Sequence, residues 1–165
     1  MKRRNMLKLP LAAAALSLVA SVAVAQGAEK KVIGVSIPSA THGFMGGLNW
    51  HAQDTITRLG TVYPNLEFVL ATAPDAAKQV SDIEDMVARG IEALVVNPPR
   101  RGLGPELAAW IEGSGIPTVI YSSCHAPSLV RDLSAMPSLS VRRARLFDMF
   151  PQTDHAETMV LLSRR

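Results

Sequence analysis

The chain has 165 residues, about half of them hydrophobic, which is enough for one domain with a real core. Its single cysteine, Cys124, excludes an intrachain disulfide and any cysteine-built metal site. Seventeen basic residues against 14 acidic ones give a net charge of +3, too little for a strongly basic protein.

Residues 1–25 read as a secretory signal. Lys2, Arg3, Arg4 and Lys8 form a cationic start, Leu9 to Ala25 is an uncharged apolar run, and Ala23-Val24-Ala25 offers small residues at a cleavage site. An uncleaved anchor is the alternative, but a run of about 17 residues rich in Ala and Ser is at the lower limit for a bilayer span. Cleavage would leave 13 basic residues against 14 acidic ones, so the expectation is an exported, periplasmic protein without a nucleic-acid-binding surface.

From Lys31 to Ser122 two patterns alternate. Val32–Ile37 is a β-branched run predicted as a buried strand. Gly46 to Leu59 is predicted as a helix with Leu48, Ala52, Ile56 and Leu59 on one face. Leu66–Ala71 is a second strand, and Asp75 to Arg89 a helix burying Ala76, Val80, Ile83 and Val87, stopped by Gly90. Ala93–Val96 is a third strand, Pro105 to Glu112 a helix burying Leu107 and Ile111, and Pro117–Tyr121 a fourth strand. Apolar strands separated by amphipathic helices predict an α/β fold, a parallel sheet covered on both faces in flavodoxin-like order. Residues 123–165 hold six arginines and no lysine, show no clear strand, and read as a poorly determined tail with one or two helices.

Ligands of such sheets bind at the carboxyl ends of the strands. These ends present Ser39, Thr41, His42, Asp75 and Asn97 beside Phe44, a mixture of hydrogen-bonding groups and an aromatic face suited to a hydroxyl-rich ligand. No catalytic residue stands out: His42 has no nucleophile and orienting carboxylate at a recognisable spacing. His42 and His51 form no metal-binding pair, and residues 41–47 match neither common phosphate-binding glycine pattern, so no metal or cofactor is called for. Trp50 and Trp110 are expected to pack against the core, and Asp82, Glu84 and Asp85 to form a solvated helix face.

Lys-Val-Ile-Gly-Val-Ser-Ile-Pro after an export signal, the turn with Phe44, Ala52-Gln53, the run Asp75 to Val87, Gly90 to Pro98 and Gly115-Ile116-Pro117-Thr118-Val119 resemble type I periplasmic sugar-binding proteins. The resemblance covers about residues 30–122. It implies capture of a sugar or related polyol between two α/β lobes, delivery to an inner-membrane ABC permease, and a monomeric, non-enzymatic protein. It places His42 as a ligand-binding polar residue, Phe44 and Met45 as ring-stacking positions, and Asn97 as a further polar contact. Ser122 and Ser123 stand where the family commonly has Asp-Arg, and can hydrogen-bond without supplying charge. The organisation implied is a signal (1–25), an N-terminal lobe (26–122) and an atypical tail (123–165), as a truncated or frame-shifted gene would produce. The rival readings are a sensor for a signal molecule, a small exported flavodoxin-like enzyme using His42 and Asp75, and a non-functional remnant.

Overall fold

The computed structural model describes residues 29–39, 43–149 and 151–165, so the expected signal, Thr41 and His42 lie outside the described residues. The elements in chain order are β1 (Lys31–Pro38), α1 (Gly43–Val62), β2 (Leu66–Ala73), α2 (Ala76–Ala88), β3 (Ala93–Val96), α3 (Gly104–Gly113), β4 (Thr118–Ser123), α4 (Ala126–Ser134), β5 (Leu139–Phe147) and β6 (Glu157–Arg164). The first four strands and three helices lie where the hydrophobic periodicity puts them. Local chemistry sets their ends: the Asp75 carboxylate accepts a hydrogen bond from Lys78 N at 2.8 Å and caps α2, and Gly90, at φ +77°, turns the chain out of it.

The six strands form one sheet in the order β2-β1-β3-β4-β6-β5. β1 to β4 are parallel, whereas β6 runs antiparallel to both of its neighbours. This corrects two expectations. Residues 123–165, expected as a poorly determined tail with one or two helices and no clear strand, are one helix and two strands, whose Met136, Leu139, Val160 and Leu162 join the core. The fold is α/β as expected and β2-β1-β3-β4 keep the expected flavodoxin-like order, but the sheet is not the wholly parallel one of a periplasmic-binding lobe, because an antiparallel pair completes it.

The crossovers explain how the layers form. β1 to β2 moves one way along the sheet and β2 to β3 the other, so right-handed connections put α1 on one face and α2, α3 and α4 on the opposite one. Burial follows this division. Leu94, Val96, Val119, Tyr121, Val160 and Leu162 point under α2–α4 and are buried. Their alternates Val95, Ile120, Met159 and Leu161 are only half-buried on the other face. Gly34 lies where α2 descends on β1. A Cβ there would meet Met86 Sδ at 2.8 Å and Ile91 Cδ1 at 2.9 Å, so only glycine lets the layers close.

Two smaller expectations also fail. Trp50 is 64% exposed, because α1 covers only the β2 end of its face and no helix among the described residues covers the rest. Asp82 is buried rather than solvated and pairs with Lys78 one turn earlier.

Candidate functional site

Three chain segments meet at the carboxyl ends of β3 and β4: the loop after β3, the turn after β4, and the start of β6. The loop after β3 runs Asn97-Pro98-Pro99-Arg100-Arg101-Gly102-Leu103. Asn97 N still donates to Ser36 O at 3.1 Å, and two prolines then end the ladder by removing its donors. Gly102, at φ +88°, turns the chain where a Cβ would collide with the Asp132 carboxylate.

Helix α4 clamps this loop from behind. The carboxylate of Asp132, which is 2% exposed, accepts from Leu103 N and from the Tyr121 hydroxyl, both at 2.7 Å. Arg131 donates to Arg101 O at 2.5 Å and Ser128 Oγ to Arg100 O at 3.0 Å. Burial, reinforced by the adjacent Asp132 carboxylate, pushes the Tyr121 phenol pKa well above its ordinary value. The phenol therefore stays protonated and keeps donating.

Cys124 occupies the turn between β4 and α4 and is half-buried. Ser123 Oγ accepts from His125 N at 3.2 Å, and His125 Nδ1 lies 3.2 Å from Ser128 Oγ, which ties this turn to the same helix that holds the β3 loop.

The third component is a carboxylate. Glu157 Oε1 accepts from Asn97 Nδ2 at 3.1 Å and from Ser122 Oγ at 2.5 Å, and Asn97 Nδ2 also reaches Ser122 O at 3.2 Å. Both side-chain bonds fall on Oε1, leaving Oε2 open. The β4–β6 ladder ends with Ser122 opposite Met159 and Ser123 opposite Thr158; Cys124 directly follows β4, and Glu157 is the residue of β6 next to that last pair. Residues opposite one another across an antiparallel pair share a face. Cys124 and the held Glu157 carboxylate thus both adjoin the last β4–β6 pair, with Glu157 on the face away from α2–α4. Such a pair can add a nucleophile to a substrate and remove a proton from it.

Of the residues expected to bind a ligand, Asn97 and Ser122 meet here on Glu157. Phe44 and Met45 fall in the first turn of α1, and His42 lies outside the described residues. Cys124 and Glu157 were not singled out as site residues by the sequence reading. Ser122-Ser123-Cys124 at a strand's carboxyl end was a usable signal for the thiol, and His155-Ala156-Glu157 before the apolar run Met159–Leu162 a weaker one for the carboxylate. A cavity of about 540 Å³ lies between α2 and the 101–107 segment with Arg131 at its edge; none of Asn97, Ser122, Cys124 or Glu157 lines it. Among the described residues no group of His, Cys, Asp and Glu could hold a metal ion.

The family model described as tRNA (uracil-5-)-methyltransferase matches residues 67–165. A 23S rRNA (uracil(747)-C(5))-methyltransferase RlmC of Halothiobacillus neapolitanus is 42% identical over 113 residues, 68% of this chain and 28% of that protein. Among solved structures, the Pyrococcus abyssi tRNA (uracil-54, C5)-methyltransferase is 20% identical, covering 90% of this chain and 37% of that one at a TM-score of 0.49. An ABC transporter periplasmic solute binding protein of Actinobacillus succinogenes is 18% identical, covering 55% and 29% at a TM-score of 0.40. Neither score is high enough to decide between folds.

The family match overturns the sugar-binding reading, and with it the ABC permease as partner and the alternatives attached to it. The matched span includes all of 123–165, so that segment belongs to the family pattern rather than to a frame-shifted remnant. The relatives are named as enzymes that modify RNA, which corrects both the non-enzymatic expectation and the exclusion of nucleic acid. The periodicity of a doubly wound sheet is common to many families and could not separate them. The chain spans roughly a quarter of the curated relative's length.

Proposed function

The chain belongs to the tRNA (uracil-5-)-methyltransferase family, and we propose that its site performs the uracil side of C5 methylation on RNA. Cys124 is the nucleophile and Glu157 the base. The observation that carries this reading is the Glu157 carboxylate, held by Asn97 and Ser122 at the end of β4 that Cys124 directly follows.

The chemistry demands such a pair. C5 of uracil is one end of a carbon–carbon double bond conjugated to the C4 carbonyl and is a poor nucleophile as it stands. Addition of the Cys124 thiolate to C6 breaks the C5–C6 π bond and moves its electron pair into an enolate over C5, C4 and O4, which makes C5 nucleophilic. Once C5 has taken an electrophile it carries that group and its original hydrogen. Glu157, through the open Oε2, removes the hydrogen as a proton. The released pair re-forms the double bond and expels the thiolate. Asn97 and Ser122 hold Oε1 and so fix the direction of Oε2.

Methyl transfer also needs a donor, which Cys124 and Glu157 do not supply; these residues serve the uracil half of the reaction.

That half can be tested alone. With a proton in place of methyl, addition, deuteration at C5, loss of the original proton and elimination exchange the uracil C5 hydrogen. In D2O, short single-stranded RNA containing uridine should gain one mass unit per reacted uracil in the presence of the chain. Cys124→Ser should abolish the exchange. Exchange that survives in Cys124→Ser would refute the assignment.

A further inference from the structure

β5 is the edge strand of the sheet, and its sequence Leu-Ser-Val-Arg-Arg-Ala-Arg-Leu-Phe carries three arginines and no acidic residue. Arg142, Arg143 and Arg145 are exposed, and among the described residues none of them forms an ion pair. The register says where they point. Arg143 pairs with Leu161, Arg145 with Met159 and Phe147 with Glu157. Residues directly opposite share a face, and Glu157 reaches Ser122 on the face away from α2–α4. Arg143, Arg145 and Phe147 therefore stand in one row on the open face, running toward Glu157.

Two details bring the guanidinium groups together. A register shift between Val141 and Arg143 leaves Arg142 as an extra residue, and its Nε donates to Ser163 Oγ at 2.5 Å. Ser163 alternates with Leu162 and shares the face of Leu161, so the bulge brings Arg142 to the side of Arg143 rather than the opposite one. The Arg145 guanidinium lies over the Phe147 ring, 5.9 Å from its centroid, which holds its charge in place beside the site. Alternate positions on a strand are about 6.6–6.8 Å apart, a step comparable to that between successive phosphates of an extended strand.

We propose that the arginine row of β5 is a track for the phosphodiester backbone of the single-stranded RNA whose uracil reaches Cys124 and Glu157. This rests on the uracil-modifying reading of the site. Charge complementarity selects the occupant: three neighbouring guanidinium groups with no ion-pair partner among the described residues suit an anionic polymer, and a uracil reachable at C5 and C6 requires an unstacked strand. The competing role for the same residues is protection of the sheet edge against pairing with another chain.

The experiment is salt-dependent binding of a fluorescently labelled, uridine-containing single-stranded RNA to the full chain. The triple variant Arg142→Gln, Arg143→Gln, Arg145→Gln is compared with wild type, with Arg89→Gln at the end of α2 and with Cys124→Ser. At about 0.7 counterions per phosphate contact, the triple variant should show a log K against log salt slope shallower by about 2. A fourfold rise in salt should then weaken wild type about sixteenfold more than the variant. Arg89→Gln and Cys124→Ser should keep the wild-type slope. An unchanged slope in the triple variant, or wild-type binding that ignores salt, overturns the track and leaves the arginines as edge protection. The C5 exchange assay is separate: its failure alongside the expected change in slope would remove the Cys124–Glu157 chemistry and leave the track standing.

Discussion

Replacing Asp132 by alanine should be among the most costly single substitutions in this domain. The carboxylate is 2% exposed and accepts from two buried donors, Leu103 N and the Tyr121 hydroxyl. Removing it leaves both without a partner, at about 1–3 kcal/mol each, so the loss should be about 4 kcal/mol. The bonds from the exposed Arg131 side chain add little to that figure. Urea unfolding followed by far-UV circular dichroism, with unchanged m-values, measures the loss. The same replacement in a Tyr121→Phe background should cost about 1–3 kcal/mol less, because one stranded donor is gone. The uracil C5 exchange rate should fall too, since Asp132 anchors the loop that begins at Asn97. A loss under about 1 kcal/mol, or no coupling to Tyr121, would refute the view that Asp132 holds the β3 loop.

Glu157→Gln keeps an acceptor for Asn97 and Ser122 but no base; C5 exchange in D2O should drop by about 10²–10⁴-fold while the urea midpoint stays within error of wild type. Gly34→Ala should lower stability by about 1–3 kcal/mol, read from the thermal midpoint, because its Cβ meets Met86 and Ile91 inside normal contact distance. Tyr121 sets an alkaline limit. Its pKa is raised in the folded state from an ordinary 10.0, so folding favours the protonated phenol. That contribution is complete below the unfolded pKa and is lost as pH rises above it, by about 1.4 kcal/mol per pH unit. Tyr121→Phe, though less stable at neutral pH, should show a correspondingly shallower decline between pH 10 and 11 in urea unfolding.

The first four strands were legible because each is a short apolar run, and the helices between them repeat apolar residues at helical spacing. β5 was not. It is exposed on both sides for most of its length, so it lacks the alternation that marks a half-buried strand, and its arginines look like a solvated tail. β6 carries the apolar run Met159–Leu162, but its place between β4 and β5 is a matter of long-range pairing that no local pattern encodes. The site divides the same way. Asn97 and Ser122 are legible because they end predicted strands. Glu157 lies 60 and 35 residues from them and meets them only through the register of β6. Cys124 was visible, but a thiol without a visible partner carries little meaning.

The order β2-β1-β3-β4 is shared by many doubly wound sheets, so the pattern up to Ser123 does not distinguish one family from another. What distinguishes this sheet is one strand running the other way. By entering antiparallel beside β4, β6 puts its first residue, Glu157, at the carboxyl end of the parallel strands instead of the far edge of the sheet. The same register sets Phe147 and the arginine row on its other flank. Overall charge conceals this, because the near-balanced total averages arginines on β5 with carboxylates on α2. A slip of β6 by one residue would turn Glu157 to the helix-covered face, away from Asn97 and Ser122. Burial of Val160 and Leu162 under α2–α4 opposes that slip, so the packing that stabilises the domain also holds the carboxylate on Asn97 and Ser122.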